Sequence, residues 1–289
     1  MQLGLSMLLF AGRVTAAHHP LLPLFKAAGY DGVEVPVTDG EDADYPALAR
    51  VLDAAGLQRT AVGFSRADAD PIHADAAVRR RALDHLRRLI DRTHALGSTL
   101  LGGPIHAAYA TFPEIGGPDE DRLARSADVL RAAAEYAAEA GVRLGIEHLN
   151  RFECFLCTTA AQTRALLRRI DHPACGAVFD SHHAHIEERD PATAISALAG
   201  VLAHVQLSES HRGVLGTGQV RWVETFTALR AAGYGGWLVV EAFSRQDPPF
   251  GAALRIWRDL FADPREVWEP AVSFVRAGWG VADESGATA

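Results

Sequence analysis

Three carboxylates close short apolar runs in the second half of the chain: Glu147 after Leu144-Gly145-Ile146, Asp180 after Val178-Phe179, and Glu241 after Val239-Val240. Asp180 follows Glu147 by 33 residues and Glu241 follows Asp180 by 61, close to one and two βα units of roughly 30 residues each. A fold built from such units carries all three acids to one rim. Taken singly, each has a plainer use, capping the next helix or pairing with an arginine. Together with Gln206 they make four oxygen donors from four successive strands, and three carboxylates held close without compensation repel strongly where the dielectric is low. A divalent cation is their natural partner. Oxygen ligation by Glu147, Asp180, Gln206 and Glu241 suits one hard ion, Mn²⁺ or Mg²⁺ with Co²⁺ as an alternative, whereas zinc and copper sites draw more on His and Cys.

The elements that must position these groups are legible as alternation. Short runs rich in β-branched residues at Leu3–Phe10, Gly32–Pro36, Arg59–Phe64, Ser98–Gly103, Val142–Leu149, Cys175–Asp180, Ala203–Ser208 and Trp237–Phe243 are separated by Ala/Leu/Arg stretches of helical period. Helix stops of the form Ala-Gly precede several strands, at Gly29, Gly56, Gly141 and Gly233. Eight such units without a linker predict an α/β fold, a single (β/α)₈ TIM barrel over residues 1–280, with a small polar tail at 281–289 expected to be disordered. No GxGxxG follows the first strand, which argues against a dinucleotide fold. Barrels build active sites where their strands end, so the inventory there is decisive: Glu34, Glu147, Asp180 with His183, Gln206 with Glu209, and Glu241. Phe250–Ala277 reads as helical segments broken by Pro264 and Pro270, with Trp257, Phe261, Trp268 and Phe274 available to cover the barrel wall or a subunit interface.

Composition narrows the function classes. With 48% apolar and 22% charged residues the chain has ample core material, and a formal charge of −8 argues against nucleic acid as partner. The arginines at 79, 80, 81, 87 and 88 lie with Leu83, Leu86 and Ile90 on a helical stretch and read as a solvated helix face. Three cysteines are too few for a disulfide framework, and Cys154-Phe-Leu-Cys157 lacks the second pair a zinc site needs. No apolar run approaches the roughly 20 residues that span a bilayer. The start of the chain has no basic segment ahead of its apolar residues, so a cytoplasmic protein with no membrane partner is expected.

Four motifs carry a family resemblance. Gly145-Ile-Glu147-His-Leu-Asn150-Arg151-Phe-Glu153, Asp180-Ser-His-His183-Ala-His-Ile-Glu187-Glu188, Ser208-Glu-Ser-His-Arg212-Gly-Val-Leu-Gly216-Thr-Gly218 and Val240-Glu241 resemble, in that order, the sugar isomerase/epimerase barrels, and among them the D-tagatose/D-allulose 3-epimerase group. The motifs cover roughly residues 144 to 243, while the first half is similar in architecture more than in motif. The resemblance implies that Glu147, Asp180, Gln206 and Glu241 bind one divalent metal and that Glu147 and Glu241 double as the catalytic acid/base pair. It implies substrate contacts by Glu153, His183 and Arg212, a small-molecule sugar as partner, and a homo-oligomer, dimer or tetramer. The implied reaction is epimerisation of a free ketose at C3: one glutamate removes a proton made acidic by the metal and keeps it, and the other delivers its own proton to the enediolate from the opposite face.

One position departs from the pattern. The epimerase motif at strand seven is His-x-His with its second His on the metal, and this chain has His204-Val-Gln206. A neutral amide oxygen replaces a neutral imidazole nitrogen, which leaves the ligand charge unchanged and hardens the site toward Mg²⁺ or Mn²⁺. Hydroxypyruvate isomerase relatives resemble this chain in carrying Gln there, so an aldose–ketose isomerase is the first alternative. A lyase or dehydratase of an oxidised sugar is the second, and a sugar-binding barrel without catalysis the third. His148, Cys154 and Cys157 also differ from the epimerase motif. The glycine-rich loop after strand seven could serve a phosphate, as in many barrels, but Arg212 is its only basic residue and the resemblance implies a free sugar.

Overall fold

The structure, a computed structural model, describes residues 1–280; the tail expected at 281–289 lies outside the described residues. The apolar runs form β1 (Gln2–Ser6), β2 (Gly32–Pro36), β3 (Gln58–Val62), β4 (Leu100–Gly103), β5 (Arg143–Glu147), β6 (Cys175–Asp180), β7 (Leu202–Ser208) and β8 (Trp237–Glu241). Each pairs in parallel with the next, and β8 closes on β1 to complete an eight-stranded barrel. The expected (β/α)₈ fold is therefore present. Strands flanked by helices on one side and the packed interior on the other are buried on both faces, which is why they read as continuous apolar runs.

Around the barrel lie α1 (Leu22–Ala28), α2 (Asp44–Ala54), α3 (Ala76–Ala95), α4 (Glu120–Glu139), α5 (Ala160–Ile170), α6 (Ser181–Glu187), α7 (Pro191–Leu198), α8 (Trp222–Ala231), α9 (Pro248–Ala253) and α10 (Arg265–Trp279). The arginine-rich stretch is α3, whose Ala82, Leu86, Leu89 and Ile90 are buried while Arg80, Arg81, Arg87 and Arg88 face solvent. The four glycines expected to stop helices all adopt left-handed φ, from +68° to +105°.

Strand ends needed correction. The run Leu3–Phe10 is a strand only as far as Ser6 and then turns into a 3₁₀ helix at Met7–Leu9. Pairing with β2 ends at Ser6↔Glu34, although β2 itself runs on to Pro36. Met7 and Leu9 stay buried, so the apolar pattern gave no sign of the change. Likewise β5 stops at Glu147 and β8 at Glu241, which makes both carboxylates the last residues of their strands. Pro270 does not break α10: the helix runs through it, with Val267, Trp268, Ala271, Val272 and Val275 buried against the barrel. Trp268 packs edge-on against Phe25 at 5.2 Å, and Phe274 packs against Trp222 at 5.4 Å, so these two aromatics cover the barrel wall; Trp257 remains 72% exposed.

Candidate active site

Because parallel strands end together, the barrel register brings the strand-end side chains to one mouth. Asp180 stands beside Gln206 across the β6–β7 pair, and Ser208 beside Glu241 across β7–β8. Glu147, Asp180, Gln206 and Glu241 are all buried. Glu147, Glu153, Arg212 and Glu241 line one cleft of about 240 Å³, whose walls include Leu8, Phe64, Tyr109, Phe243, Phe250 and Leu254. A larger hollow of about 470 Å³ opens between Arg59, Thr99, Arg143 and Trp237. Those residues sit at strand starts, the face on which barrels do not build active sites.

Asp180 holds two positions at once. Its Oδ1 caps α6 by accepting from the backbone N–H of His182 (2.5 Å) and His183 (3.4 Å), while its Oδ2 accepts from Arg212 Nη1 at 2.9 Å. The same Arg212 nitrogen donates to Glu241 Oε2 at 2.7 Å and to Ser208 Oγ at 3.0 Å, and its guanidinium lies 4.7 Å over the Phe243 ring. Arg212 thus stands against two of the carboxylates as well as lining the cleft, and it adopts a left-handed φ of +63°. The loop that carries it is organised by Glu209, whose carboxylate accepts from the N–H groups of Ser210, Gly216 and Val220 and from Trp222 Nε1. Burial raises the Glu209 pKa, but these donors outweigh it and hold the group below the usual carboxylate range. Glu209 is therefore part of the loop, which directs three of its backbone N–H donors inward to it.

His183 accepts the Asn150 backbone N–H on Nδ1 at 3.0 Å, which assigns the proton of the neutral ring to Nε2. That Nε2 lies 3.4 Å from Glu147 Oε1 and 3.8 Å from Asp180 Oδ2. It also faces Arg212 Nη2 at 3.0 Å, one donor against another. Asn150 holds Glu153 as well, donating from Nδ2 to Oε1 at 2.9 Å. Glu147, Asp180 and His183 present ligand atoms within 4.8 Å of one another, as do Glu153, His182 and His183.

Electrostatics mark two of these groups. Burial pushes the Glu147 carboxyl well above its ordinary range, and the neighbouring charges of Asp180 and Glu241 add to the effect. Glu241 is pushed up by burial too, with Arg212 opposing and Asp180 and Glu34 adding. Carboxyls so placed hold a proton more readily than solvated ones. The residues also fit a hard divalent cation on an observation independent of charge: Gln206 Oε1 is a buried acceptor with no hydrogen-bond partner. A buried carbonyl oxygen left without a protein donor can serve as a ligand atom to a hard cation.

A sequence profile described as xylose isomerase-like TIM barrel matches residues 22–276. The chain belongs to this family. Among its xylose isomerase-like relatives, an L-ribulose 3-epimerase of Mesorhizobium japonicum is 34% identical over 256 residues, 88% of this chain and 85% of that one. A ketose 3-epimerase of Arthrobacter globiformis is 34% identical over 254 residues, 87% of each chain. A crystal structure of D-allulose 3-epimerase from Methylomonas sp. in complex with D-allulose aligns with a TM-score of 0.89 at 29% identity over 96% of both chains. These relatives are isomerase-class enzymes, the class the motifs imply.

Groups beyond the strand-end inventory emerge only in the structure. Asn150 orients both Glu153 and His183, and Tyr109 reaches the cleft from the loop after β4. Asn150 lies inside the first motif and could have been found there; Tyr109 has no sequence signal. The departures at His148, Cys154 and Cys157 are buried and do not line the cleft; Cys154 Sγ instead meets His106 Nε2 at 3.4 Å. Among the described residues no helix is long and apolar enough to cross a membrane.

Proposed function

We propose that the protein is a divalent-cation-dependent 3-epimerase of a free ketose, with Glu147 and Glu241 as its acid/base pair. The observation that carries this is their placement: two buried carboxyls, both pushed up in pKa, end β5 and β8 and line the same cleft. The names of the relatives, L-ribulose and ketose 3-epimerase, support the substrate class. Glu147, Asp180, Gln206 and Glu241 would hold the ion, Mn²⁺ or Mg²⁺. When bound, it supplies Lewis acidity that makes the C–H beside a ketose carbonyl easier to ionise. Glu147 takes the C3 proton, Glu241 delivers one to the other face, and the exchange inverts C3. Arg212 and His183 hold the hydroxyls next to the reacting carbon, and Glu153, fixed by Asn150, binds a further hydroxyl. Three of the backbone N–H donors of the loop after β7 are taken by Glu209, which favours a free sugar over a phosphorylated one. A homo-oligomer in the cytoplasm, without nucleic-acid or membrane partners, completes the proposal.

One observation favours a second outcome. Gln206 Nε2 donates to Glu241 Oε1 at 3.2 Å, a contact that engages the carboxylate expected to reprotonate C3. Were proton return directed to the adjacent carbon instead, the same residues would perform aldose–ketose isomerisation. The deciding experiment incubates Mn²⁺-loaded protein in D₂O with ribulose, allulose, fructose and tagatose. The proposal expects the C3 epimer of at least one, deuterated at C3; aldose products would support the isomerase, and no conversion of any ketose would sink both.

A further inference from the structure

The geometry points to Glu34 as a positioning residue that orients the Gln206 amide so that its oxygen, not its nitrogen, is presented to the cation, an assignment that rests on the cation site proposed above. Glu34 ends no motif and touches no cleft-lining surface. It lies on β2 in register with Ser6 and Thr60, fully buried, and reaches across the barrel to β7. Its Oε2 accepts from His204 Nε2 at 2.7 Å and from the Thr60 hydroxyl at 3.5 Å, and its Oε1 accepts from Gln206 Nε2 at 3.1 Å.

A glutamine side chain has two donors and one acceptor oxygen at nearly equivalent ends, and the environment decides which way it faces. Here both N–H groups are committed to carboxylates, one to Glu34 Oε1 and the other to Glu241 Oε1 at 3.2 Å. Rotating the amide by half a turn would exchange two N–H···O hydrogen bonds for two oxygen–oxygen contacts. Glu34 and Glu241 together therefore hold the amide in one orientation, and the buried Oε1 is left without a protein partner. An imidazole at the same position could not make this arrangement. With one nitrogen on a cation it keeps a single N–H, enough for Glu34 or Glu241 but not both. Glu34 thus makes a glutamine workable where the epimerase motif has histidine, and through the same amide it steadies Glu241.

If Glu34 served only as a structural brace for His204, its loss would lower stability and leave cation binding unaffected. Calorimetric titration with Mn²⁺ in the absence of sugar separates the two roles. Gln206→Leu is expected to weaken Mn²⁺ binding, and Glu34→Gln to weaken it at least tenfold relative to wild type. Adding Glu34→Gln to Gln206→Leu should produce little further loss, because the amide it orients is gone. Wild-type affinity in Glu34→Gln, or an undiminished loss in the Gln206→Leu background, overturns the assignment while leaving the cation site standing. No Mn²⁺ binding by the wild type, or unchanged binding by Gln206→Leu, instead overturns the ligand set and the assignment with it. Should Glu34→Gln not fold, Glu34→Asp keeps the buried charge and draws it back by one methylene; at least threefold weaker Mn²⁺ binding is expected, and unchanged binding overturns the role.

Discussion

Glu147 and Glu241 are ordinary residues in unusual surroundings. Each is buried among other carboxyls, and for each the folded protein disfavours the charged form. That is the condition a general base needs, because a proton acceptor in the usual carboxylate range is too weak to compete for a C–H proton. Glu147→Gln and Glu241→Gln are each expected to lower kcat by roughly 10²–10⁴. Glu147→Gln should not lower the melting temperature of the cation-free protein, since it removes one of several crowded negative charges, whereas Glu241→Gln also takes a partner from buried Arg212 and is expected to lower it. Turnover retained in either folded variant refutes its place in the acid/base pair. Arg212 shows the complementary logic. Its charge sits on Asp180 and Glu241, and burial that would lower its pKa is outweighed by those carboxylates, so it stays protonated.

At the scale of elements, the site depends on strands that approach closely enough to end on a common rim. Gly103, the last residue of β4, shows how close. Its φ is +129°, and a Cβ there would meet the carbonyl oxygen of Gly63, just beyond β3, at 2.1 Å. Backbone atoms cannot yield as a flexible side chain can. Gly103→Ala is expected to destabilise the fold by about 2–4 kcal/mol, combining the strain of an unfavourable φ with overpacking. Urea unfolding measures it, and a loss below about 1 kcal/mol would show that the β3–β4 rim can relax. Asp180 couples elements differently: it ends β6, caps α6 and contacts Arg212, so helix and site share one side chain.

For the whole molecule, one buried group outside the cleft sets an expectation for pH. His106 is fully buried with its Nδ1 unpartnered, and burial, aided by His148, pushes its pKa down to about 3. In the unfolded chain an ordinary histidine titrates near 6.5. Between those values the unfolded state binds a proton that the folded state refuses, so stability is full above about pH 6.5 and falls as the pH drops toward 3. One such group contributes a slope of up to about 1.4 kcal/mol per pH unit. His106→Gln should flatten the acid limb of a stability-against-pH curve measured by urea unfolding; an unchanged slope would show that His106 takes up its proton without unfolding. The carboxylates add their own acid dependence, which the variant leaves in place and which serves as the internal reference.

Much was legible in advance. Eight apolar runs punctuated by glycine specified a closed barrel, because period, spacing and helix stops are local properties that one chain segment carries by itself. The strand-end rule then put Glu147, Asp180 and Glu241 at the ends of β5, β6 and β8, with Gln206 two residues inside the end of β7. Strand ends themselves were overrun at Met7–Leu9, since a buried 3₁₀ turn and a buried strand bury the same residues. Pairings across the barrel lay beyond sequence reach. Glu34 and His204 are 170 positions apart, and nothing in either segment announces that one accepts a hydrogen bond from the other. Nor could sequence decide which end of the Gln206 amide faces the carboxylates. Types and spacing of the site residues are written along the chain; the direction in which a donor or lone pair points is set only when closure of the barrel brings distant strands face to face.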